Sequence, residues 1–117
     1  MQKQKAQTNS EISAAMRKYQ IGREYYRRWK EAEDRYIEAV KQKDETYLNT
    51  HKLNCKQAIA TELGKEHHLS TRTLLSYAAY ADIIDEVETK NVKLVKQILS
   101  GETKMGYQEL KRLMKVL

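Results

Sequence analysis

No proline interrupts the 117 residues, and glycine occurs only at positions 22, 64, 101 and 106. A chain without the residue that breaks helices, and rich in Lys, Glu, Gln, Ala and Leu, is biased strongly toward helix. The apolar spacing agrees. Ile12, Met16, Tyr19, Tyr26, Trp29, Ala32, Tyr36, Ile37 and Val40 recur at intervals that mark one face of a long helix. Asn9 or Ser10 is placed to cap it, and Gly22 leaves open whether it runs unbroken to Gln42 or divides in two. No strand-like alternation occurs, so the pattern predicts an all-α fold of about five or six helices.

The centre of this pattern is the stretch LGKEHHLSTRTLLSY, Leu63 to Tyr77. Leu63, Gly64 and His67 fall at helical spacing and Leu69 ends the run. Ser70 stands where an N-cap belongs, because its hydroxyl can accept from a free N–H of the next turn. Leu74, Tyr77, Ala78 and Ala81 then form the inward face of a second helix. A glycine inside a helix costs about 1 kcal/mol relative to alanine, so Gly64 predicts a point where two helices cross closely. Upstream, Lys43–Thr46 breaks the periodicity, and Asn54 is placed to cap a helix from Cys55 to His67. Downstream, Thr89–Asn91 ends the second helix. Val92, Val95, Ile98 and Leu99 make a short third one, stopped by Gly101 in the left-handed conformation. Gly106 opens a last helix with Leu110, Leu113, Met114 and Leu117 on one face. The expected organisation is a disordered tail over 1–8 and one helical domain over 9–117, a helix–turn–helix with a long amino-terminal helix and two carboxy-terminal ones.

The run LGKEHHLSTRTL resembles the I-A-K-E-x-G-V-S-x-x-T-V stretch of ParB-like partition proteins and KorB-like repressors, including their phage and plasmid relatives. Tyr80-Ala81-Asp82-Ile83-Ile84-Asp85 is similar to the family's F-A-x-A-I-D run. Ile98-Leu99-Ser100-Gly101 followed by Lys104-Met105 resembles its I-L-S-G-x-x-K-I element, and Ile21-Gly22-Arg23-Glu24-Tyr25 its I-G-x-x-Y run. The likeness covers about residues 20 to 117 and lies in the order of the motifs. It does not include the family's amino-terminal nuclease-like domain, so no activity of that domain is carried over. The resemblance implies a helix–turn–helix that reads DNA.

Charge points to an anionic partner without placing it on the recognition helix. The net charge is +6, with a balance of +5 over residues 1–43, +4 over 91–117 and −2 over 70–90. In a helix–turn–helix the first turns of the second helix enter the major groove, which assigns base contacts to Thr71, Arg72 and Ser76. Arg72 leads, since a guanidinium can bond guanine O6 and N7 together. Phosphate contacts are assigned to Arg23, Arg27, Arg28, Lys56, Lys65, Lys111, Arg112 and Lys115. For the tyrosines and basic residues of the long helix a plainer reading is preferred: the aromatics form core, and the cations form a solvated face partly paired with Glu24, Glu31, Glu33 and Asp34.

Other chemistries find little footing. His51, Cys55, His67 and His68 match no structural zinc spacing, so neither a metal nor another cofactor is expected. No phosphate-binding loop, nucleophile elbow or H-E-x-x-H motif occurs, and no enzymatic activity is expected. A single cysteine and the lack of a membrane-length apolar run lead to an expected cytoplasmic location without a membrane partner.

Two functions follow. The first is a DNA-binding protein of a mobile element, a repressor or a partition or replication accessory factor, with double-stranded DNA as partner and a homodimer as one form it takes. The second is a helical protein-interaction module, such as a mobile-element inhibitor of a host defence nuclease in the manner of anti-CRISPR proteins. Leu75 and Ser76 stand where relatives carry a basic pair, which favours the second; its contacts would be Leu75, Asp82 and Glu86.

Overall fold

The structure is a computed structural model and describes residues 12–50 and 56–117. Six helices and no strand occur among them: α1 (Ala14–Gln42), α2 (Glu45–Thr50), α3 (Lys56–Glu66), α4 (Thr71–Glu88), α5 (Val92–Leu99) and α6 (Tyr107–Met114). The expected tail and the cap at Asn54 lie outside the described residues.

The long helix begins later than its apolar pattern suggests. Ile12 precedes it, and Ser13, not Asn9 or Ser10, is the cap: its Oγ accepts from the Met16 N–H at 2.9 Å. The same oxygen donates to the Leu99 carbonyl at 2.5 Å, tying the start of α1 to the end of α5. From there α1 runs 29 residues through Gly22 without a break, about 43 Å at 1.5 Å per residue. Gly22 is kept for packing. A Cβ there would run into the Tyr77 carbonyl oxygen and lie 2.7 Å from the Ala81 Cβ. The close helix crossing expected at Gly64 is therefore found at Gly22, where α1 passes over α4.

α4 is the axis of the fold, and its inward residues feed two apolar clusters. Towards its start, Leu74 and Ala78 join Ile21 and Tyr25 of α1 and Ala60 and Leu63 of α3. Towards its end, Tyr80, Ile83, Ile84 and Val87 join Val95 and Ile98 of α5 and Leu110 of α6. Leu63, Leu74, Val87 and Leu110 are wholly enclosed. Burying a side chain of this size is worth about 1.5–3 kcal/mol, so these clusters fix where α3, α5 and α6 sit on α4.

The second half of α1 overshoots both clusters. Ala39 is buried, yet Ile37 and Val40 are 43% and 51% exposed, so the continuous core face expected to reach Val40 ends earlier. The helix stops at Lys43, which takes φ 55°. Its N–H donates to the Val40 carbonyl at 3.2 Å and that of Asp44 to Ala39 at 2.9 Å, a paired closure of the last free carbonyls. Gly101 stops α5 at φ 89°, as its position predicts. Gly106 opens α6, its N–H donating to Glu109 Oε1 at 3.0 Å.

Candidate nucleic-acid interface

The turn between α3 and α4 is closed from both sides. His68 adopts φ 59°, and its N–H donates to the Lys65 carbonyl at 3.3 Å while that of Leu69 donates to Gly64 at 2.7 Å. This is a paired cap in which the residue after the left-handed position folds back on the helix it ends, and Leu69 packs on the cluster that holds Leu63. A Cβ on Gly64 would lie 2.7 Å from the Leu69 carbonyl oxygen. Gly64 is thus a turn glycine: the returning backbone, not a crossing helix, excludes a side chain. Ser70 caps α4 as expected, accepting from the Thr73 N–H at 3.1 Å and donating to Thr73 Oγ1 at 2.9 Å. The hydroxyls of Thr61 and Thr71, 2.9 Å apart, join α3 to the first residue of α4.

This geometry presents the start of α4 outward. Arg72 and Ser76 are exposed, while Thr71 is half-buried with its hydroxyl engaged. Leu75, as a protein contact, would have to stand exposed beside Arg72. It is half-buried instead and packs on the cluster of Ile21, Tyr25 and Leu74, because the lower flank of α4 faces α1 there. Further along, Ala79, Asp82 and Glu86 continue the outer stripe. With Tyr26 of α1 and Tyr107, Lys111 and Met114 of α6 they line a trough of about 380 Å³. Burial raises the pKa of the Tyr26 phenol, with the nearby charge of Asp82 adding to it.

The cations divide into two groups. Arg27 bonds Glu24 at 2.6 Å and Glu31 at 2.7 Å. Arg28 bonds Glu24 at 2.8 Å and grips Glu66 of α3 with both terminal nitrogens, at 2.8 and 3.0 Å. Hydrogen bonds from these two arginines hold the Glu24 carboxyl down to about 2 and that from Arg28 lowers Glu66. Arg23 bonds Asp85 of α4 at 2.9 Å, and the other Asp85 oxygen accepts from the Tyr19 hydroxyl at 2.7 Å. Burial and that carboxylate push the Tyr19 phenol up to about 12. Lys30 pairs with Asp34 at 3.2 Å. Arg23, Arg27, Arg28 and Lys30 of α1 are therefore paired with carboxylates of α1, α3 and α4, in keeping with the plainer of the two sequence readings.

The second group carries no ion pair among the described residues. Arg72, Lys65, Arg112 and Lys115 are exposed. Lys56 Nζ sits 4.4 Å from the centre of the Trp29 ring, and Lys111 Nζ 5.5 Å from that of Tyr107.

No known family, curated protein or solved structure matches the chain. Among the described residues no group of three or more His, Cys, Asp or Glu could hold a metal ion, and no helix is long and apolar enough to cross a membrane. His51 and Cys55 lie outside the described residues; His67 is half-buried and His68 exposed in the turn.

Sequence reasoning missed the partners of Arg23 and Arg28. Glu24, Glu31 and Asp34 lie three or four positions from their cations and show in the sequence. Asp85 and Glu66 do not, because they are 62 and 38 positions from theirs.

Proposed function

We propose that the chain is a DNA-binding helix–turn–helix protein of the ParB-like and KorB-like kind, acting by occupying a DNA site. One observation carries this reading. The capped start of α4 sets Arg72 and Ser76 out into solvent, Arg72 without an ion pair among the described residues, while its neighbours Thr71 and Thr73 are engaged in holding the turn. A guanidinium left unpaired at the leading end of such a helix suits guanine recognition in a major groove. Phosphate contacts belong to the second group of cations: Lys56 and Lys65 on α3, and Lys111, Arg112 and Lys115 on or beside α6. Arg23, Arg27 and Arg28 have a structural task instead, since each would have to surrender a carboxylate to reach a phosphate.

The test is binding to random-sequence and genome-derived duplexes, read by fluorescence anisotropy at two salt concentrations. Affinity that falls steeply with salt, and exceeds the random value on a selected site, supports the reading; no binding at low salt removes it.

A second reading rests on the other half of the same helix. Asp82 and Glu86 lie exposed in a trough flanked by Tyr26, Tyr107, Lys111 and Met114, a surface on which two carboxylates face one cation. It suits a basic protein partner such as a nucleic-acid-binding enzyme, and makes the chain an inhibitor or adaptor. Loss of a protein contact in Asp82→Lys together with Glu86→Lys, with DNA binding absent in the wild type, would select it.

A further inference from the structure

A groove of about 570 Å³ lies between the start of α1, the middle of α4 and the loop that leads into α6, and borders the trough at Tyr107. Its floor is apolar, made by Ala15, Ile98 and Met105. One floor residue is out of keeping with this. Tyr80 is only 6% exposed and lines the groove, yet its hydroxyl has no hydrogen-bond partner among the described residues. Buried phenols find partners because leaving one without is costly. Among the described residues no fully enclosed side-chain oxygen or nitrogen lacks a partner, so the Tyr80 oxygen opens into the groove.

The rim supplies charge. Lys18 Nζ stands 5.6 Å from the Tyr80 ring centre and 5.8 Å from that of Tyr77, and Lys104, in the loop before α6, also lines the groove. Glu109 is the carboxylate on this lining; its Oε1 accepts from the Gly106 N–H at 3.0 Å, which turns it to the α6 end of the groove, and with Lys18 and Lys104 it leaves the lining positive in balance. The Lys18 ammonium over the tyrosine rings, Lys104 on the lining and a phenol hydroxyl open to the groove match a ligand with an apolar body and an anionic head. The volume falls within the range of small-molecule sites, about 300–1,000 Å³, and is far more than a bare ion fills.

We propose that this groove binds a small organic anion, an aromatic or acyl body ending in a carboxylate, sulfonate or phosphate, with Lys18 and Lys104 holding the head and the Tyr80 hydroxyl bonding the ligand from below. The proposal is independent of DNA binding by α4. It uses none of the residues assigned there except that Ser76 borders both surfaces.

The full chain is titrated with anilinonaphthalene sulfonate, and in parallel with the neutral phenylnaphthylamine, which has the same rings without the acid. Saturable binding of one sulfonate per chain is expected. Lys104→Met and Lys18→Met each weaken it about tenfold, the loss of a charged contact, and leave the neutral dye unchanged. Tyr80→Phe weakens both dyes less. Should any variant fail to fold, wild-type protein with isotope-labelled tyrosine serves: the Tyr80 ring signal shifts on adding the sulfonate, and that of Tyr36, on the far half of α1, does not. Equal loss of both dyes in the lysine variants reduces the groove to an apolar patch and overturns the proposal. So does unchanged sulfonate affinity, or a Tyr80 signal that does not move. A random duplex that displaces the dye from the wild type and no longer engages Lys104→Met would make the anion a DNA phosphate, and overturns the small-molecule site.

Discussion

Arg28 grips Glu66 with two parallel hydrogen bonds, and so fastens the middle of α1 to the last residue of α3. Glu24 bonds the same guanidinium from the preceding turn of α1. Both carboxyls are held below their ordinary value of 4.5, Glu24 to about 2. Groups whose folded pKa is depressed add stability that is whole above the unfolded value and lost as pH falls through the folded one. The melting temperature is therefore expected to drop as pH falls from about 5 towards 2, and to drop less in Arg28→Met. At neutral pH that variant should lose about 1 kcal/mol or less by urea unfolding, because the pairs touch solvent, and high salt should shrink the difference.

Gly22 makes a sharper prediction. Alanine is the better helix former by about 1 kcal/mol, so in an exposed helix Gly22→Ala would stabilise. Here the methyl meets the backbone of Tyr77, which cannot turn aside as a side chain does. Gly22→Ala should destabilise by about 1–3 kcal/mol in urea titration, and a neutral or stabilising result would mean that α1 and α4 do not cross at this point.

The turn of the helix–turn–helix can be probed from both ends. Gly64→Ala should destabilise, since its methyl is directed at the Leu69 carbonyl. From the sequence alone alanine is expected to be tolerated at Gly64; the backbone that it meets reverses that sign. His68→Gly should stabilise by about 0.5 kcal/mol, the relief of a left-handed side chain less the extra freedom of the unfolded glycine. Paired thermal melts of the two variants check both signs.

DNA binding separates the two groups of cations. Arg72→Ala should cost about 1–3 kcal/mol on a selected site and blunt base preference there. Lys111→Ala should weaken all sequences alike and lower the salt slope by about one unit. Arg27→Ala should change neither, because Glu24 and Glu31 already hold that guanidinium. Anisotropy titrations of the three variants over a salt series would decide. A loss in Arg27→Ala as large as in Lys111→Ala would return α1 to the interface.

The parts of the fold legible in the sequence were those set by neighbours in the chain. Ser70 as a cap, Gly101 as a stop, Gly106 as a start and the α3–turn–α4 unit follow from residues within a few positions of one another. Leu63, Leu74, Ile98 and Leu110 also faced the core as their spacing required. What spacing could not carry was which faces meet. It marked both Gly22 and Gly64 as anomalies and gave the crossing to Gly64, because a glycine is excused by a nearby helix or by its own returning chain, and only the turn geometry tells which. It placed Ile37 and Val40 in a core that ends before them. Of the candidate site, Arg72 and Ser76 were legible by position. The engagement of Arg23 and Arg28 was not, since their partners come from other helices. Nor was the groove around Tyr80, which brings together α1, α4, α5 and a loop.

Ser13 and Gly22 together make α1 a toothed rod. One tooth engages the Leu99 carbonyl and the other, nine residues on, is a notch that accepts the backbone of Tyr77. Because both must seat at once, the length between them has one admissible setting. A residue inserted between 13 and 22 would turn the rod by about 100° and advance it by about 1.5 Å, so that one tooth is out of mesh whenever the other is in. Beyond Lys30 no second pair of this kind occurs among the described residues, although Ala39 is still buried there. A change of length is therefore most costly near the start of α1, where two fixed points share one stretch of helix.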